Sequence, residues 1–147
     1  MTKNPHVRVT EEPLSLERLA DLVGRDSAGA IVTFQGTTRD VDHLEYEAYR
    51  EMAEERIAAI VAEAVERHGL EAAAAEHRTG TVERSAPSVI VAVAAAHRGE
   101  AFAAAREIID RIKSEAPIWK KEVEGEQERW VEGTQAQRAA TQGNVRS

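Results

Sequence analysis

The side chains able to do chemistry in this 147-residue chain are cations, and they stand where structural elements should end. Arg39 follows the run GAIVTFQG, with Thr37 and Thr38 just before it. His97 and Arg98 follow SVIVAVAAA, Lys113 falls in the last turn of a helical stretch, and Lys120, Lys121 and Glu122 follow Pro117. Arginine and lysine are charged at neutral pH, and binding groups concentrate where elements give way to loops. At any single position a structural role is enough. Lys113 complements a helix C-terminus, His97 and Arg98 can open a helix, Lys120 and Lys121 can form a solvated strand face, and Arg39 can pair with Asp40 or Asp42. Together, in a chain of formal net charge −7, they fit a pocket for a phosphorylated ligand. Arg106, Asp110 and Lys113 share one helical stripe at i, i+4 and i+7. If Arg39, Arg98 and Lys120 crowd Lys113, like charges lower its pKa toward a reactive amine.

Other chemistries find little support. There is no cysteine, which excludes disulfides, thiolate metal sites and a cysteine nucleophile. His6, His43, His68, His77 and His97 show no metal-binding spacing, and neither a Walker loop nor a GxGxxG run occurs, so no metal and no cofactor is expected. Tyr46 and Tyr49 read as packing residues, and Trp119 and Trp130 as anchors of a terminal hairpin. The negative charge argues against nucleic acid or an anionic membrane as partner. No apolar run is long enough to span a bilayer, and the polar first residues lack an export-signal core, so the expected location is the cytoplasm.

The elements that must position the cations follow from periodicity. With 42% hydrophobic, 31% charged and only 4% aromatic residues, the core must rest on Ala, Val, Ile and Leu. Residues 1–6 read as a frayed start and 6–11 as a strand. Ser15 caps a short helix to Val23, with Leu14 and Leu19 as a hydrophobic staple and Gly24 as its stop. Residues 29–36 read as a buried strand, 37–43 as a loop, and 44–49 as a strand with Leu44, Tyr46 and Ala48 on one face. The clearest helix covers 50–68, with Ala53, Ile57, Ile60, Val61, Ala64 and Val65 inward and Gly69 as C-cap. One or two short strands follow over 72–82 with a bend at Gly80, then a turn at 84–87 and a buried strand at 88–96, a stretch whose alanines also allow a helix. A second helix covers 100–114 with Phe102, Ala105, Ile108, Ile109 and Ile112 inward, and a hairpin turns at Gly125. The class expected is α+β, a single domain with a mainly antiparallel sheet over residues 1–135, followed by a polar, mobile tail at 136–147.

GAIVTFQGTTRD, LEYEAYREMAE, EHRTGTV, SVIVAVAAAHRGEAF and IKSEAPIWKKEVEGEQERWVE, in that order, resemble the catalytic (large) subunits of molybdopterin synthase, the MoaE family, over roughly residues 5 to 135. The resemblance implies an α/β hammerhead fold, a homodimer, and a heterotetramer with two small ubiquitin-like sulfur-carrier subunits ending in a Gly-Gly thiocarboxylate. It implies cyclic pyranopterin monophosphate (precursor Z) as substrate, receiving two sulfurs to become molybdopterin, with no resident cofactor. It implies a substrate pocket of Thr37, Thr38, Arg39, His97, Arg98, Lys113, Lys120, Lys121 and Glu122, with Lys113 and Lys120 catalytic and Phe34 near the wall. The lack of cysteine agrees, because this chain cannot carry sulfur as a persulfide and its C-terminus is not Gly-Gly. Two stretches depart from the family pattern. A longer, glycine-containing loop is replaced by residues 40–43, and a glycine-containing turn by residues 83–87. If the short loop disabled sulfur transfer, the alternative would be a non-catalytic homodimeric module that binds a phosphorylated metabolite.

Overall fold

The computed structural model describes residues 5–131. Their order is β1 (His6–Thr10), α1 (Leu16–Val23), β2 (Ala30–Thr37), β3 (His43–Ala48), α2 (Arg50–His68), β4 (Ala72–Arg78), β5 (Gly80–Glu83), β6 (Pro87–Ala95), α3 (Arg98–Glu115), β7 (Ile118–Glu124) and β8 (Gln127–Trp130). The expected tail lies outside the described residues, as do residues 1–4. The α+β class is borne out, with two four-stranded sheets in place of one: β1-β4-β6-β2 and β5-β3-β7-β8. Only the β1–β4 pair is parallel.

Period two on β6 builds the core. Val89, Val91, Val93 and Ala95 join the cluster under α2 and α3, while Ile90, Ala92 and Ala94 join Leu14, Leu19 and Val23 of the α1 side. A strand covered on both faces is buried along nearly its whole length. The alanines of β4 and β6 keep that sheet thin enough for helices to close on both sides. The six inward residues of α2 are the six expected ones. Gly69 ends α2 with φ +61, the left-handed conformation that glycine adopts without a Cβ clash. Ser15 caps α1, its hydroxyl accepting the Arg18 N–H at 3.2 Å. Gly24 stops that helix without a left-handed turn, at φ −59.

Glu76 ties β4 to the N-terminal elements. Its carboxylate, 1% exposed, accepts from Arg18 at 2.5 Å, Arg8 at 3.2 Å and His6 at 2.6 Å. These partners hold its pKa below the ordinary carboxylate value against the opposing effect of burial. Gly80, at φ +79, then turns the chain out of the first sheet into β5 of the second.

Two packing expectations are corrected. β2 is an edge strand whose side chains alternate in exposure, and Ile31 is 48% exposed. Phe102 is 63% exposed, and Ala101 and Ala104 take the inward places on that part of α3. The helix also starts two residues earlier than expected, at Arg98.

Asp40 and Ser85 are the described non-glycine residues with positive φ, at +61 and +70. An L-residue there carries a steric cost of about 1 kcal/mol. Ser85→Gly is expected to raise stability by up to about that amount, read as a higher urea midpoint at unchanged m-value.

Candidate active site

The second sheet and the end of α3 enclose a cleft of about 960 Å³. Arg39 enters from the loop after β2, Lys113 from the last turn of α3, and Lys120 and Glu122 from one face of β7. Thr37 lines the rim and Arg129 reaches in from β8. Lys120 stands opposite Tyr46 in the β3–β7 register, and Glu122 opposite Arg129 in the β7–β8 register. Arg129 and Glu122 form an ion pair.

The remaining three cations are unusual for this chain. Most arginines among the described residues are tied to carboxylates, in ladders such as Arg111 with Glu115 at 2.7 Å and Glu63 at 3.2 Å. Among the described residues, Arg39, Lys113 and Lys120 have no carboxylate within 4.0 Å. Burial lowers the Lys120 pKa from its ordinary value. The charge of Lys113 lowers it further, Glu122 opposes, and Arg39 lowers it again. Crowding was expected at Lys113; the amine whose pKa is lowered is that of Lys120.

The other expected residues lie elsewhere. Thr38 is 2% exposed, with a buried hydroxyl oxygen that has no partner. It faces away from the cleft, its backbone joined to Ala86 and Ser85. Lys121 points to the opposite face of β7, where it pairs with Glu45 at 3.1 Å and Glu128 at 3.3 Å and lies over the Trp130 ring. Strand alternation separates adjacent lysines in this way. His97 and Arg98 open α3, about 22 Å along the axis from Lys113 at 1.5 Å per residue. The His97 side chain is 83% exposed and lies 3.6 Å from Glu100.

Asp42 fixes the short loop that carries Arg39. Its carboxylate accepts the Gly125 N–H at 2.7 Å and pairs with Arg84 at 3.2 Å, while Arg84 also donates to the Val41 carbonyl at 2.8 Å. Arg129 was not singled out from sequence, and Asp42 was named there as a partner for Arg39, whereas it pairs with Arg84. Counting outward from the hairpin turn at Gly125 places Arg129 across from Glu122, whereas nothing in the spacing marks the partners that Asp42 takes.

A gathering of unpaired cations in an acidic protein is an anion site. Among the described residues, no group of three or more His, Asp or Glu side chains is arranged to hold a metal, and no helix is long and apolar enough to cross a membrane. Residues 9–115, which include Arg39 and Lys113, match the model of the family described as "MoaE protein". The chain belongs to the MoaE family. It is 45% identical over 141 residues to a molybdopterin synthase catalytic subunit of Oryza sativa subsp. indica, a match that covers 91% of this chain and 73% of that one. A protein of the same name from Thermoplasma volcanium is 44% identical over 126 residues, covering 82% and 92%. Among solved structures, molybdopterin synthase from Staphylococcus aureus superposes with a TM-score of 0.81 at 33% identity, covering 90% of this chain and 98% of the other.

Within this MoaE fold, Asp40 and Ser85, the non-glycine residues with positive φ among the described ones, lie in the two stretches expected to differ from the family pattern. A second buried group lies beneath the lysines. His77 is 7% exposed and packs edge-on against Tyr46 at 5.0 Å. Its Nδ1 lies 2.8 Å from the Arg78 carbonyl and donates to it in the neutral ring. Burial pushes its pKa down to about 4; Lys113 and Lys120 add to this, and the Arg78 bond opposes. An unfolded histidine titrates near 6.5. Between these values the unfolded chain binds a proton that the folded chain does not, so stability falls as pH falls through the window. Lowering the pH from 6.5 to 4.5 should therefore remove roughly 2 to 3 kcal/mol. The paired carboxylates Glu76, Glu107 and Glu115, held below their usual value, keep their contribution until the pH is lower still. Urea titrations of His77→Phe should show this slope flattened.

Proposed function

We propose that this chain is the catalytic subunit of a molybdopterin synthase, a sulfur-transfer enzyme of molybdenum cofactor biosynthesis, and that its anion cleft is the active site. The observation that carries the reading is the convergence of Arg39, Lys113 and Lys120, none with a carboxylate partner among the described residues, on one cleft. The substrate is cyclic pyranopterin monophosphate, whose phosphate Arg39 holds through charge-assisted hydrogen bonds. Sulfur arrives on a separate small ubiquitin-like carrier whose Gly-Gly thiocarboxylate tail threads in beside Lys113 and Lys120. With no cysteine, this chain has no thiol on which to carry it. The carrier sulfur attacks a substrate carbon as a carbon–oxygen bond there breaks. Water then cleaves the acyl carbon–sulfur bond of the resulting thioester, freeing the tail as a carboxylate and leaving the sulfur on the substrate. The two ammonium groups stabilise the negative charge that develops. Lys120, with its lowered pKa, releases a proton more readily than a free lysine and is the better placed of the two for proton transfer. A second carrier repeats the step, and the work is placed in the cytoplasm.

His97 and Arg98 belong to this reading through a second copy. Val32 and Phe34 of the β2 edge and the exposed Phe102 of α3 line an apolar groove of about 450 Å³ that ends at Lys113. A copy packed there with α3 antiparallel would bring its own His97 and Arg98 to this lysine end, making a homodimer and, with two carriers, a heterotetramer.

In a reconstituted assay with thiocarboxylated carrier and cyclic pyranopterin monophosphate, Lys113→Ala and Lys120→Ala should each lower kcat about 100-fold or more. Arg39→Ala should act mainly on the substrate KM, by about tenfold. Lys121→Ala should leave kcat near wild type. Wild-type turnover by Lys113→Ala would overturn the assignment.

A further inference from the structure

Of the three cations without a carboxylate partner, Arg39 alone stands outside a helix or strand. Lys113 is carried by α3 and Lys120 by β7, whereas Arg39 lies in the loop after β2. Among the described residues, no ion pair or hydrogen bond holds its guanidinium, so its place in the cleft is set by the backbone on either side. That backbone is clamped at both ends to one turn. Ahead of Arg39, the Thr38 N–H donates to the Ala86 carbonyl at 3.3 Å, and the Thr38 carbonyl accepts the Ser85 N–H at 2.9 Å. Behind it, Arg84 donates from Nε to the Val41 carbonyl at 2.8 Å and from a terminal nitrogen to the Asp42 carboxylate at 3.2 Å. Arg39 and Asp40 are left between the clamps, and Asp40 is held at φ +61. A non-glycine residue stays in that conformation when its surroundings force it there.

The turn that does the clamping is itself fixed. It closes through the Ala86 N–H, which donates to the Glu83 carbonyl at 3.0 Å. β5 before it pairs with β3 of the second sheet, and β6 after it lies between β4 and β2 of the first. Arg84 therefore ties the Arg39 loop to both sheets at once. It does so without lining the cleft itself. A guanidinium suits this task, because its planar fork reaches a carbonyl with one nitrogen and a carboxylate with another, where a lysine ammonium is a single point. The ion pair with Asp42 is about half exposed on both sides and so adds little to global stability. Its loss should be felt in the pose of the loop rather than in folding.

We propose that Arg84 is a positioning residue for anion binding: from the turn between β5 and β6 it sets the backbone under Arg39, and with it the aim of that guanidinium into the cleft. The inference rests on the reading of Arg39 as the holder of the substrate phosphate. Arg84 acts through Arg39, because Lys113 and Lys120 stand on elements of their own.

The test is a titration of the full chain with inorganic phosphate, followed by phosphorus NMR and run as a double-mutant cycle. Arg84→Ala should weaken phosphate binding about fivefold, the worth of a hydrogen bond to a charged group. In the Arg39→Ala background it should change nothing further. Arg84→Lys keeps the charge but loses the fork, so it should recover little of the loss; it also serves in the cycle if the alanine variant folds poorly. Urea midpoints should stay near wild type. At saturating thiocarboxylated carrier, Arg84→Ala should raise the KM for cyclic pyranopterin monophosphate by a similar factor and leave kcat within about twofold of wild type. Unchanged phosphate affinity in Arg84→Ala, an equal loss with and without Arg39, or full recovery by lysine would overturn the positioning role. A wild-type chain that binds no phosphate would overturn it together with the anion cleft. Coupling between Arg84 and Arg39 that stands while the wild-type chain forms no product would instead overturn the function proposed above and leave this role in place.

Discussion

Mutual repulsion among Arg39, Lys113 and Lys120 is the constraint around which the rest of the molecule is arranged. Side chains of like charge do not gather unaided, and burial of Lys120 adds a further penalty. The scaffold must therefore hold the backbone on all sides of the cleft. The two-sided core behind β6 fixes α3, and so Lys113. The β3–β7 ladder fixes Lys120, and Asp42 clasps the short loop behind Arg39 to Arg84 and Gly125. What the fold gives up in electrostatic stability reappears as a site already charged before any anion arrives, with little reorganisation left to do on binding.

Neighbouring cations show the opposite choice. Arg56, Arg67 and Arg111 join Glu63, Glu107 and Glu115 across the α2–α3 seam, and Arg8 and Arg18 close on Glu76. The net negative charge of the chain therefore says little about the cleft. Carboxylates are used up where structure needs them and withheld from the three cations of the cleft. His77 fits the same logic: a ring under two lysines that stays neutral avoids adding a further positive charge to them.

Elements with one strong period were legible from the sequence. The six inward residues of α2 and the inward Leu44 and Tyr46 of β3 follow directly from spacing of 3.6 and 2. The errors lie where a residue's type and its neighbourhood disagree. Phe102 is apolar and falls near the inward stripe, yet α3 turns Ala101 and Ala104 to the sheet and leaves the ring outside. β2 is apolar enough for a central strand but ends the sheet. Tyr49 reads as packing and Trp130 as a hairpin anchor, and both rings prove largely exposed. Within the candidate site, residue type and position pointed to Arg39, Lys113 and Lys120. Sequence alone could not separate Lys120 from Lys121, because which face of β7 looks into the cleft depends on pairing with β3, a long-range fact. The partners of Asp42, expected at Arg39, escaped for the same reason, since they lie more than forty and eighty positions away.

The alternation along β7 also sets what kinds of change this strand can survive. A point substitution alters one face. Adding or removing a single residue in the strand rotates everything beyond it by half a turn and exchanges the Trp119 and Lys121 side for the Lys120 and Glu122 side. The strand's length is thus under tighter constraint than its composition, whereas the loop over residues 38–42, held at Asp42, has room to shorten or lengthen around its clasp. Drift within this lineage should be written as replacements in β7 and as insertions and deletions beside Arg39.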